Sequence, residues 1–197
     1  MPVWKRLVSC GALVFAVSIP ALAQGWRVGA SAGLVNDVKG TFRLGNFGDR
    51  DVNGWIDFIA DDQVAIRATF GSLKVNGSQA GHSVSLLPGA PPTTLPDLKD
   101  RINYGTLGVS YEFFEGNYTS GVFAGIGAYR NDPESADPSF RAYQDPNQTV
   151  FGWHVGVDGN FRVFSRVSIV VRLTFHYTTR DPRRELLNAD AGLQYRF

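Results

Sequence analysis

Along most of this chain apolar and polar residues alternate with a period of two, the pattern of strands with one apolar and one polar face. Eight segments carry it. In the first, Trp26 to Val35, the residues Trp26, Val28, Ala30, Ala32 and Leu34 share one side. The second, about Asp51 to Ala60, is ambiguous: Val52, Ile56 and Phe58 face one way, Trp55 and Asp57 the other. The third, Val64 to Val75, sets Val64, Ile66, Ala68 and Phe70 opposite Arg67 and Thr69. The fourth, Ile102 to Phe113, sets Leu107, Val109, Tyr111 and Phe113 against Thr106, Ser110 and Glu112. The fifth, Gly121 to Arg130, is rich in glycine and only loosely patterned. The sixth opposes Phe151, Trp153, Val155, Val157 and Phe161 to His154, Asp158, Asn160 and Arg162. The seventh opposes Val167, Ile169, Val171, Leu173, Phe175 and Tyr177 to Arg172, Thr174 and His176. The eighth sets Leu187, Ala189, Ala191, Leu193, Tyr195 and Phe197 against Asn188, Asp190, Gln194 and Arg196.

The connections alternate in length. Short ones lie near Asp61 to Gln63, Phe114 to Ser120 and Val163 to Arg166. Long ones run about Asn36 to Arg50, Asn76 to Arg101, Asn131 to Thr149 and Thr178 to Leu186. Short turns at one end and long polar loops at the other describe an eight-stranded antiparallel up-and-down transmembrane β-barrel, turns in the periplasm and loops outside. The connection Asn76 to Arg101 holds Pro88, Pro91, Pro92 and Pro96, and is expected to be irregular.

Lengths and aromatics separate a membrane barrel from a soluble, lipocalin-like one. A strand of about 11 residues rises roughly 36 Å, and a 45° tilt reduces this to roughly 26 Å, the height of the apolar band of such barrels. A soluble barrel would have to turn its apolar face inward. The large aromatics instead form two girdles. Trp26, Phe113, Phe161, Tyr195 and Phe197 fall at the turn end, and Phe151, Trp153, Phe175 and Tyr177 at the loop end.

Residues 1–23 read as a signal peptide. Lys5 and Arg6 form its positive start, Leu7 to Ile19 is mostly apolar, and Ala21-Leu22-Ala23 makes a small-x-small cleavage site. The apolar segment is short and is followed by Pro20, which argues against an uncleaved anchor. Most of it follows Cys10 rather than preceding it, which argues against lipidation. Removal leaves 197 − 23 = 174 residues, enough for one domain, residues 24–197. The charge balance is 19 basic against 18 acidic residues, and loss of Lys5 and Arg6 makes it 17 against 18. Such neutrality excludes the basic excess of a nucleic-acid binder. Cys10 is the one cysteine, so the mature chain has no disulfide, thiol nucleophile or cysteine-based metal site.

The last eight residues, Asp190-Ala191-Gly192-Leu193-Gln194-Tyr195-Arg196-Phe197, follow the pattern polar-x-Gly-x-x-apolar-x-aromatic. This resembles the C-terminal signal of bacterial outer-membrane barrels. With the leader and eight strands, the chain resembles the small OmpA/OmpX-type barrel family over nearly its whole mature length, without a following peptidoglycan-binding domain. The resemblance implies location in the bacterial outer membrane, contact with its lipid and lipopolysaccharide, and delivery to the barrel assembly machinery. Asp190, Gly192, Tyr195 and Phe197 would be the assembly signal. The family includes adhesins, structural anchors, small conduits and lipid-modifying enzymes, so the partner of the loops stays open.

Candidate chemistry is sparse. Gly29-Ala30-Ser31-Ala32-Gly33 matches the G-x-S-x-G of a nucleophile elbow, but it sits inside an alternating strand with no helix after it. His82, His154 and His176 lack metal-ligand spacing, and no metal or cofactor is expected. Outer-membrane lipid A deacylases carry a His-x-Ser pair near the end of the penultimate strand, with an acid about a dozen residues on. His176, Thr178 and Asp190 resemble this loosely, but threonine replaces serine, aspartate replaces glutamate, and His176 shares the inner face with Arg172. Three Asn-x-Ser/Thr triplets, at Asn76, Asn117 and Asn147, are read as chance matches. The remaining signal is an inward polar set: Arg27, Arg67, Glu112, Asp158, Arg162, Arg172, His176, Asp190 and Arg196. An eight-stranded barrel is just wide enough for side chains to fill. The expectation is a non-enzymatic protein with a plugged lumen, serving envelope integrity or loop-mediated binding. The alternatives are a lipid A hydrolase and a small-solute conduit.

Overall fold

A computed structural model describes residues 25–38, 50–76, 83–84, 91–95, 98–113, 116–134, 143–179 and 183–197. Residues 1–23, read from sequence as a leader and holding Cys10, and His82 lie outside them. The strands are β1 (Gly25–Asp37), β2 (Arg50–Ile59), β3 (Val64–Asn76), β4 (Ser83–Val84), β5 (Thr93–Thr94), β6 (Lys99–Glu112), β7 (Tyr118–Pro133), β8 (Gln148–Arg162), β9 (Val167–Thr178) and β10 (Glu185–Arg196). Eight of them close a barrel in the order β1-β10-β9-β8-β7-β6-β3-β2, while β4 and β5 form a separate two-stranded sheet. Every neighbouring pair is antiparallel, including the seam where Ala30 stands opposite Leu193. Closure leaves the barrel no free edge.

Local chemistry makes the turns tight. Asp61 accepts from the backbone N–H groups of Gln63 and Val64 at 2.8 and 2.7 Å, which folds β2 back onto β3. Between β8 and β9, Val163 N–H donates to the Val167 carbonyl at 3.0 Å, and Val167 N–H returns a bond to Phe164 at 3.3 Å.

Large apolar side chains point outward. Ile126 and Leu193 are 59% and 60% exposed, and Leu107, Val109, Val155, Val157, Val171 and Leu173 belong to the same belt. Leaving such a continuous surface to water would forfeit most of the hydrophobic stabilisation of the fold, so the belt faces lipid. No helix among the described residues is long and apolar enough to cross a membrane; the strands do so. The girdle residues Trp26, Phe113, Phe151, Phe161, Tyr195 and Phe197 are exposed on this outer surface. Trp153, Phe175 and Tyr177 are half-buried because they pack on one another, Trp153 stacking with Tyr177 at 5.3 Å and tilting against Phe175 at 5.7 Å.

Two expectations need correction, and one ambiguity is resolved. The loosely patterned fifth segment runs well beyond Gly121 to Arg130, because β6 and β7 continue their ladder past the belt to Asp100 opposite Pro133. The Asn76 to Arg101 connection is not wholly irregular: it carries the β4–β5 hairpin and buries Leu95 and Leu98. The ambiguous second segment turns Trp55 and Asp57 inward, leaving Val52 at the lipid face.

Candidate functional site: the lumen

Alternation sends one residue in two to the barrel axis, and what arrives there forms layers. At mid-height Trp55 of β2 and Phe123 of β7 are fully buried, and two guanidiniums lie against both rings. Arg67 is 5.8 Å from the Trp55 ring centre and 5.0 Å from that of Phe123; Arg172 is 4.4 and 4.7 Å away. Cation–π attraction of this kind strengthens when water is excluded. Trp55 fits because Gly29 lies beneath it: a Cβ there would sit 2.1 Å from the indole. The indole Nε1–H donates to Gln194 at 3.2 Å.

Carboxylates balance the cations. Arg67 donates to both oxygens of Asp57, at 2.7 and 2.9 Å, and to Asp158 at 2.9 Å. Asp57 also lies 3.2 Å from Arg27 Nε, an ion contact without hydrogen-bond geometry, and Arg27 Nη1 bonds Glu112. Arg172 donates to Asn53 at 3.0 Å and stands in register between Asp158 on β8 and Asp190 on β10. An uncompensated buried charge costs several kcal/mol, so this network is what makes a charged axis tolerable.

Toward the loops the arginines give way to carboxyl, amide and aromatic side chains. Asp51 accepts from Asn53 at 2.8 Å and from Asn188 at 2.5 Å, and Asn188 also reaches Asp190 at 3.2 Å. His176 Nδ1 is 3.0 Å from the Tyr129 hydroxyl, Tyr129 stacks on Tyr104, and the His154 ring lies 5.5 Å from that of His176. Tyr104 and Tyr129 also join Val35, Leu73, Val75, Ile102 and Leu186 in an apolar cluster inside the barrel.

A clasp closes the loop end. Buried Arg184, just before β10, donates to Asp37 at 3.1 Å, to Asp100 at 2.7 Å, to the Asn76 carbonyl at 2.9 Å and to Asp145. One guanidinium thus ties together the bases of four connections. The cavity beside it holds about 10 Å³, room for about one water. On the outer rim Glu134 pairs with both Lys74 and Arg101, which stand opposite each other on β3 and β6. The hydrogen bond from Lys74, aided by Arg101, holds the Glu134 carboxyl below the usual glutamate range.

Of the inward set named from sequence, Arg27, Arg67, Asp158, Arg172, His176 and Asp190 are buried on the axis, and Glu112 is half-buried beside them. Arg162 and Arg196 are a correction. They point to the axis but are exposed, lining an open mouth at the turn end rather than the buried network, because each lies at the last position of its strand. Alternation set Trp55 and Asp57 opposite the apolar side of the ambiguous second segment without assigning them to the lumen. It left out Asp51 and Asn53, although three polar residues of one parity in β2 mark that side. Arg184 lies in a connection, where period two carries no information.

The hydrolase-like residues are each engaged elsewhere. His176 meets Tyr129, Thr178 accepts from the Arg184 N–H at 2.9 Å, and Asp190 accepts from Asn188. All three are buried inside the barrel, away from the lipid face. Ser31 of the elbow-like motif lies within β1 and donates to Asn53 at 2.8 Å.

No protein-family model and no curated protein matches the chain. Solved structures do match its fold. Neisserial surface protein A superposes with a TM-score of 0.59 at 10% identity, over 88% of this chain and 96% of that one. A major outer membrane protein from Thermus thermophilus gives 0.57 at 14% identity, over 88% and 98%. The outer membrane protein OprG from Pseudomonas aeruginosa gives 0.56 at 10% identity, over 89% and 97%. The closed eight-stranded ladder with its lipid-facing belt is a transmembrane β-barrel, and these matches show that it has the fold of small outer-membrane barrels.

Proposed function

We propose that this protein is a non-enzymatic outer-membrane barrel whose plugged lumen makes it a structural element of the envelope and whose loops bind outside partners. In this reading residues 1–23 direct export and are removed, the short turns face the periplasm, and the loop-end girdle meets lipopolysaccharide. The observation that carries it is the mid-barrel layer, where Arg67 and Arg172 fill the space between Trp55 and Phe123 and are tied to Asp57, Asp158 and Asn53. A lumen filled by hydrogen-bonded, ion-paired side chains leaves no continuous water path for a solute. The buried setting of His176 speaks against a hydrolase acting on lipid, since a catalytic imidazole needs a nucleophile within reach and access to its substrate.

Planar-bilayer recording tests the plug. The purified barrel should show no sustained conductance steps, whereas replacing Arg67 and Arg172 together by alanine should open brief ones. Stable single-channel steps from the unaltered protein would favour the conduit. Comparing lipid A mass profiles with and without the protein tests the hydrolase, for which loss of an acyl chain that depends on His176 is required.

A further inference from the structure

At the short-turn end the lumen opens into a vestibule whose charge is not balanced. Two adjoining cavities of about 250 and 300 Å³ share Glu112, Thr119, Arg162 and Arg196 in their walls. Arg27 and Arg196 stand directly opposite each other in the β1–β10 ladder. Like charges so placed repel. Only Arg27 is neutralised, by Asp57 and Glu112. Among the described residues neither Arg162 nor Arg196 has an acidic partner, and Arg166, which donates to the Tyr195 hydroxyl at 3.4 Å, is a fourth guanidinium in the larger cavity beside those of Arg27, Arg162 and Arg196. The acids in these walls are Glu112, already bound to Arg27, and Asp62. The lining is otherwise hydroxyl and amide, with Thr119, Ser165, Ser168, Asn160 and Gln194 among it. Arg27 and Arg67 are ion-paired within the plug, while Arg162 and Arg196 leave the vestibule walls a cationic surplus in a concave site.

We propose that this vestibule binds a phosphate ester of a small polyol, with Arg162 and Arg196 gripping the phosphate. Guanidinium forks match phosphate oxygens in pairs, and more than one fork in a single pocket suits the charge of a phosphate better than that of a lone carboxylate. The surrounding hydroxyls and amides suit a polyol, and cavities of this size hold a glycerol phosphate. Two sources share that chemistry. The vestibule opens at the level of the Tyr195 and Phe197 girdle, where phospholipid headgroups lie, and it also opens to soluble phosphorylated polyols.

The test uses the full barrel in an alkyl maltoside, which brings no phosphate of its own. One arm titrates glycerol 3-phosphate and the other dihexanoylphosphatidylglycerol, each against sodium chloride of equal ionic strength, following the Nε–Hε NMR signals of Arg162 and Arg196. Saturable shifts of both signals in either arm are expected, and the responding arm identifies the source. The double variant Arg162→Gln/Arg196→Gln should weaken binding by about tenfold or more, since each charged hydrogen bond is worth enough for that. The double change to lysine should keep part of it, because charge remains and the fork is lost. Heat-modifiable gel mobility establishes that each variant is folded, and the wild-type signals stand as a readout independent of any variant. Absence of saturable shifts in both arms, or binding that survives in the folded glutamine variant, overturns the proposal.

Discussion

Arg67 and Asp57 are joined by two parallel hydrogen bonds of 2.7 and 2.9 Å across the β2–β3 ladder, where they stand directly opposite. Arg27 leans on the same carboxylate at 3.2 Å. Asp57 is therefore the shared counter-ion of two buried arginines. Asp57→Ala should cost about 3–5 kcal/mol, because it leaves buried positive charge without its partner. Urea unfolding in lipid vesicles measures this; a change below about 1 kcal/mol, the scale of a surface ion pair, would mean the network is solvated.

Val171 lies on the belt between Gly159 and Ala191, with Arg172 beside it pointing the other way. Val171→Arg should lose about 2–4 kcal/mol if this position lies near the bilayer midplane. The same unfolding assay decides it, and a neutral result would contradict the lipid-facing assignment of the odd-numbered side of β9.

Gly192 sits at the seam, where a Cβ would come 2.0 Å from the Ala30 carbonyl oxygen and 2.6 Å from Ser31 Cα. Both obstacles are backbone of the first strand, which cannot step aside without breaking the ladder. Gly192→Ala should slow barrel closure and lower the folded yield, seen as a smaller heat-modifiable fraction after refolding. Gly105→Ala, where nothing lies within 4 Å of the added carbon, is the matched control and should fold normally.

Phe197 ends the closing strand with its N–H bonded to the Trp26 carbonyl at 3.0 Å and its ring 4.8 Å from Tyr195, edge to face. If the aromatic pair serves as interface anchor and assembly signal, deleting Phe197 should sharply reduce folded barrel in outer-membrane fractions and leave periplasmic aggregates. Arg196→Gln should assemble normally, because that side chain points into the vestibule. Normal heat-modifiable amounts without Phe197 would remove it as the signal.

Glu134 bridges Lys74 and Arg101, two cations that face each other at the loop rim. Its carboxyl is held below the ordinary glutamate value by the Lys74 hydrogen bond. The folded form is therefore favoured above that ordinary value, about 4, and the contribution is lost as pH falls through the lowered one. Carboxyl NMR should give a midpoint below that of a free glutamate. Glu134→Gln should speed amide exchange at the ends of β3 and β6 at neutral pH and leave it little changed in acid.

The order of strands, the lipid side of each clearly alternating segment and the contrast between turns and loops were legible in the chain alone. Period two is imposed by the strand itself, so lipid and lumen write it into every residue pair. That is why Val155, Val157, Val171 and Leu173 could be assigned to the belt from sequence. The lumen's partners were not legible, because which inward residues meet depends on register between strands far apart in the chain. Arg67 finds Asp158 across 91 positions, and Arg172 reaches Asn53 across 119. Charge type alone could not separate Arg172, deep between two rings, from Arg196, open to water at the mouth; height along the axis decides it, and height follows from tilt and stagger after closure. Arg184 shows the limit most plainly. It lies in a connection with no periodicity, yet the folded barrel makes it the residue that joins four loop bases.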